Sequence, residues 1–140
     1  MKKSSILYTA FVLVTILGVA DFIGLSLHLY WTTWWFDMVM HFLGGLSLGF
    51  LSLYLFYNSK IFFVSFFFAV LLGGVWEVSE YVNDIIMEPY FLDMTSDLIF
   101  DTLGALTAIL IMKWSLKSSW EFLGVSQQAG REFFYQEQRF

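Results

Sequence analysis

Three stretches of this 140-residue chain carry ionisable residues at helical spacing: Asp37 and His41 in FDMVMHFLGG, Glu77 and Glu80 in WEVSEY, and Asp97 and Asp101 in SDLIFDTLGA. Residues three or four apart share one helix face, so each pair offers two ligand or proton-carrying groups on one side. Carboxylates with one imidazole suit a divalent cation such as Mg²⁺, Mn²⁺, Fe²⁺ or Zn²⁺. Pairs at this spacing build carboxylate metal sites inside helical bundles. A cation so held would generate a nucleophile from a bound water at neutral pH, or grip a phosphate. A carboxylate of the Glu77/Glu80 pair, Glu80 first, would then serve as general base.

The elements that must position these pairs are apolar. The chain is 59% hydrophobic and only 14% charged, against about 25% charged in soluble domains. This composition reads as a single-domain, multi-pass, all-α membrane protein. A net charge of −5 with no basic patch argues against nucleic acid as a partner. The absence of cysteine excludes disulfides, thiolate metal sites and a cysteine nucleophile. A membrane-spanning helix needs ~20 mostly apolar residues, and four segments qualify: roughly 5–29, 36–57, 61–83 and 96–114. The transmembrane domain is thus expected over 1–114, with a cytoplasmic tail over 115–140. The start MKKSSILYTAFVLVTILGVA also has the shape of a signal peptide, but its apolar run continues past Asp21 to Leu29, which favours an uncleaved helix.

Basic residues favour the cytoplasmic side. Lys2 and Lys3 precede the first helix, Lys60 lies between the second and third, and Lys113, Lys117, Arg131 and Arg139 follow the fourth. The connections 30–35 and 84–95 have none. The expected topology in the cell membrane therefore has both termini cytoplasmic. Trp31, Trp34 and Trp35 would then mark the outer interface, and Trp114 and Trp120 the inner one.

That topology brings the acids to one depth. Asp37 opens the second helix with His41 one turn deeper; Glu77, Glu80 and Asp84 fall in the outer turns of the third; Asp97 stands at the mouth of the fourth with Asp101 one turn deeper. Each stripe continues inward to a glycine, Gly44, Gly73 or Gly104, and small residues let membrane helices approach closely. An outward-facing polar pocket shared by three helices is expected. A charge at mid-membrane costs ~2.5–3.5 kcal/mol, and no lysine or arginine stands in the outer half to answer these acids.

Other readings stay open. The cluster suits a proton or cation path, although the inner halves of the helices offer only serines. Asp37 and Asp97 also suit helix N-termini, where the dipole favours an acid. Asp84, Glu88 and Asp93 read as solvated loop acids, and His28 as an interfacial residue outside the site. Asp21, the lone acid of the first helix, either joins the site or marks a kink. Trp76 and Tyr81, beside the acids, are expected to fill the bundle, with substrate binding the alternative for either.

The blocks FDMVMHFLGG, GGVWEVSEYVND and DMTSDLIFDTLGAL resemble the signature segments of small bacterial and archaeal membrane proteins of the YjdF type and, more loosely, of VanZ-like proteins. The resemblance covers residues 34–108 and implies that Asp37, His41, Glu77, Glu80, Asp97 and Asp101 act as one unit. The chain departs from the YjdF type in having four helices where more are usual. The resemblance implies no particular reaction. The expectation is a divalent-metal site near the outer leaflet, supporting hydrolysis or transfer on a lipid or envelope substrate. A non-enzymatic cation or proton transporter, or an accessory membrane subunit, is the alternative.

Overall fold

A computed structural model describes residues 3–57, 61–82 and 90–122. The elements are α1 (Lys3–Ser26), a single turn α2 (Leu29–Thr32), α3 (Phe36–Leu55), α4 (Ile61–Val82) and α5 (Tyr90–Phe122). All four long helices are long and apolar enough to cross a membrane. Lipid offers no partners to unpaired backbone groups, which restricts such a chain to helices or closed barrels. The same constraint reaches the hydroxyls: Thr9, Thr15, Ser47, Ser52 and Thr107 each donate to the carbonyl four residues back.

α1 stops earlier than the apolar run suggests. His28 adopts a left-handed conformation (φ 57°), which interrupts the helix and turns the chain into α2. Such a φ is uncommon outside glycine, though His is among the residues that tolerate it. The fourth helix is longer at both ends than 96–114. It begins at Tyr90, directly after the chain's single proline, and residues 115–122 continue it into the stretch expected to be tail. Asp93, expected to be a solvated loop acid, lies in the first turn of α5.

α3 is the central element and packs on α1, α4 and α5. Its contact with α5 is the closest. A Cβ on Gly45 would collide with the backbone of Asp101, and one on Gly104 with the backbone of Phe42 and Leu46. Only the missing side chains permit this approach. The packing glycine of α3 is therefore Gly45 more than Gly44, whose Cβ would meet only the Asp101 carboxylate, at 3.7 Å. Below that crossing lies an apolar core of Ile6, Ala10, Phe50, Leu53, Ala108, Ile109 and Met112. Lys3 and Lys113 sit over the rings of Tyr54 and Phe62, each 5.1 Å from the centroid. Lys3, Lys113 and the apolar core thus occupy one end of the bundle, and the acidic pairs the other.

Candidate metal centre

His41 lies at the middle of the acidic end. It projects from the second turn of α3 and is 6% exposed. Four carboxylates from three helices surround its ring. On the Nε2 side stand Asp37 Oδ1 at 3.7 Å and Asp97 Oδ1 at 3.9 Å; on the Nδ1 side stand Glu77 Oε1 and Asp101 Oδ2, both at 3.5 Å. Glu77, Asp97 and Asp101 are as buried as the histidine, while Asp37 keeps 23% of its side chain exposed. Glu80 is half-buried and hydrogen-bonds Trp76 one turn back on α4.

These separations are too long for direct hydrogen bonds, which run ~2.7–3.2 Å. They match another geometry. Two ligands each ~2.0–2.2 Å from a shared cation stand at most ~4.4 Å apart. Glu77 Oε1 and Asp101 Oδ2 are buried and have no hydrogen-bond partner among the described residues. Buried polar atoms are rarely left so, and both of these face His41 Nδ1. Two triads have ligand atoms within 4.8 Å of one another: Asp37, His41 and Asp97, and His41, Glu77 and Glu80. The pairs expected from spacing thus converge on one imidazole, and the donor set suits a divalent cation.

Gly73 has a role at the site as well as in packing. Its Cβ would come within 2.7 Å of Asp101 Oδ2, so the bare backbone of α4 makes room for the Asp101 carboxylate. Asp97 is not a helix N-terminal residue. α5 begins seven positions earlier, and the dipole's influence fades within the first turn, so that explanation for its charge lapses. Asp37 does lie in the first turn of α3, yet it also faces His41.

His28 is exposed at the α1–α2 junction with its ring 5.8 Å from that of Trp31, away from the cluster. Asp84 and Glu88 lie outside the described residues. Trp76 and Tyr81 do not fill the bundle: they are 58% and 54% exposed, on flanks of α4 where amphipathic rings suit a membrane boundary. Asp21 accepts a hydrogen bond of 2.8 Å from the Tyr30 hydroxyl. Tyr30 also meets Phe36 edge-on, with centroids 5.0 Å apart, and ties α1 and α2 to the start of α3. Burial, then the bond to Asp21, push the Tyr30 phenol above its ordinary range. Spacing gave no sign of this pair, because a turn with positive φ separates its members.

Fold and site together define a multi-pass helical membrane protein with a buried histidine–carboxylate cluster at one end of the bundle. The chain belongs to the family described as predicted membrane protein DUF2238, whose model matches residues 2–118 and which includes YjdF. No curated protein and no solved structure matches the chain.

Proposed function

We propose that the cluster holds a divalent cation on the Nδ1 side of His41, among Glu77, Glu80 and Asp101: His41, Glu77 and Glu80 have ligand atoms within 4.8 Å of one another, and Asp101 Oδ2 lies 3.5 Å from Nδ1. The observation that carries this is the pair of buried oxygens, Glu77 Oε1 and Asp101 Oδ2, both 3.5 Å from Nδ1 and without a hydrogen-bond partner among the described residues. Asp37 and Asp97 then stand on the Nε2 side, where their charge favours the tautomer that carries its proton on Nε2. A carboxylate behind a ligating histidine fixes the tautomer and makes the ring a better donor.

Bound there, a Zn²⁺, Mn²⁺, Fe²⁺ or Mg²⁺ ion would supply Lewis acidity and an activated water. Glu80, less buried than Glu77, would take the proton from that water, and hydrolysis or transfer on a lipid or envelope substrate is the reaction class we assign. The looser likeness to VanZ-like proteins rests on the same motifs and adds no reaction. Orientation follows from the lysines. Lys3 and Lys113 lie at the end away from the cluster, and the positive-inside rule makes that end cytoplasmic and the cluster outer, with both termini inside. The apolar core at the lysine end, with Ile6, Leu53 and Met112 buried, favours a closed site over a through-path for ions.

Elemental analysis of purified wild-type protein beside a His41→Ala/Asp101→Asn variant tests the site, with helicity by circular dichroism as the folding control. Stoichiometric metal lost only in the variant is expected; equal content in both overturns the assignment.

A further inference from the structure

His41, Glu77, Asp97 and Asp101 are all buried, so a solute reaches them only through a local opening. Such openings draw on the segments with the fewest buried contacts. The C-terminal half of α1 is one of these. After Ala10, Gly24 is the sole buried residue of the helix among the described residues, and Val14, Val19, Phe22 and Leu25 are each more than half exposed. The N-terminal half is anchored instead, with Ile6 and Ala10 in the apolar core.

A clasp with two parts holds this loosely packed half of α1. The first part is the hydrogen bond of 2.8 Å that the Tyr30 hydroxyl donates to Asp21 Oδ1. The second is a notch at Gly24, where a Cβ would collide with the Phe36 ring and come within 3.1 Å of Tyr30 Cε2. The Tyr30 and Phe36 rings meet edge-on, so α2 fastens the last turns of α1 to the first residue of α3. The left-handed residue His28 is the joint between α1 and α2. The clasp stands at the open side of the cluster. Asp37, next to Phe36, and Glu80 are the members that are only partly buried, and the Tyr30 hydroxyl interacts electrostatically with both.

We propose that α2 and the last turns of α1 form a strap across the open side of the cluster, clasped by the Tyr30–Asp21 bond and by the Phe36 ring at Gly24, and that release of the clasp is what admits solutes to His41 and its buried acids. Release disturbs little else. The anchors Ile6 and Ala10 lie near the other end of α1, and the close α3–α5 crossing at Gly45 and Gly104 involves neither α1 nor α2. The strap therefore swings while the rest of the bundle stays packed.

The test uses full-length protein in nanodiscs, kept metal-free with a chelator so that the outcome is independent of cation binding. A water-soluble carbodiimide with an amine modifies accessible carboxylates, read residue by residue by mass spectrometry. In the wild type, Asp37 should react well ahead of Glu77, Asp97 and Asp101. Tyr30→Phe removes the bond and keeps the ring. Modification of the three buried acids should then rise about tenfold, the equivalent of one hydrogen bond to a charged acceptor. Gly24→Ala, which pushes the Phe36 ring out of its notch, should raise it as well. Tyr8→Phe, at an exposed tyrosine near the other end of α1, and Gly18→Ala, at an open position, should keep wild-type rates. Buried acids as reactive as Asp37 in the wild type, or unchanged rates in Tyr30→Phe or Gly24→Ala, would overturn the strap. So would an equal rise in Ile6→Ala, which loosens the apolar core instead, because the bundle would then be opening as a whole.

Discussion

Gly73→Ala separates the chemistry of the site from the stability of the fold. The new Cβ would lie 2.7 Å from Asp101 Oδ2 and 3.2 Å from its Cγ, where ordinary contact starts near 3.4 Å. The carboxylate must therefore retreat by about 0.7 Å or rotate, well beyond the about ±0.2 Å within which ligand distances hold in a competent metal site. The obstacle is the end of a side chain rather than backbone, so the helices need not part. Alanine for glycine inside α4 also adds up to ~1 kcal/mol of helix propensity. The two effects point in opposite directions. Metal affinity should fall by about 10–100-fold, the range for disturbing a ligand's support, while thermal stability of the metal-free protein holds or rises. Competition with a calibrated chelator in detergent measures the first, and thermal unfolding of the stripped protein the second. An affinity change below about threefold, ~0.6 kcal/mol, would refute Asp101 Oδ2 as a ligand and the placement of the cation on the Nδ1 side.

Gly45→Ala should behave in the opposite way, because its Cβ meets the Asp101 backbone; overpacking of about 1–3 kcal/mol should appear as a lower Tm even without metal, and an unchanged Tm would contradict the close α3–α5 crossing. Asp97→Asn should weaken metal binding less than Asp101→Asn in the same chelator assay, since it acts through the imidazole; the reverse order would place the cation on Nε2. The Tyr30 phenol, raised above the unfolded value of about 10 by burial and the bond to Asp21, contributes stability that is fully present below that pH and lost as pH rises through the folded value. Ultraviolet titration of wild type against Tyr30→Phe should show one tyrosine ionising after the others, and a difference curve centred near the ordinary value would refute the buried bond. Single cysteines at Ser4 and Thr33, introduced into a chain that has none, should react with impermeant thiol reagents from the inner and outer faces respectively; the opposite pattern would invert the topology.

Much of this protein is legible in its residue order. Hydrophobic run length announces four spanning helices, because a bilayer demands ~20 apolar residues per crossing. The pairs Asp37/His41, Glu77/Glu80 and Asp97/Asp101 announce a cluster because helical spacing puts both members on one face. Antiparallel threading brings the pairs to one end, which needs only the number of crossings. The sequence could not rank the members. Asp97 looked like a helix-mouth acid until the start of α5 at Tyr90 carried it nearly two turns inside, and helix starts are set by local turn geometry that composition does not encode. Nor could it show that His41 is the hub, with two acids facing each ring nitrogen. That depends on how α3 is rotated against α4 and α5, and the close backbone contacts at Gly45 and Gly104 set the α3–α5 part of it. The pairing of Tyr30 with Asp21 likewise required a left-handed residue at His28. Spacing along a helix determined which groups stand together; packing between helices decided which atoms face one another, because close approach of rigid backbones, not hydropathy, sets rotation and depth.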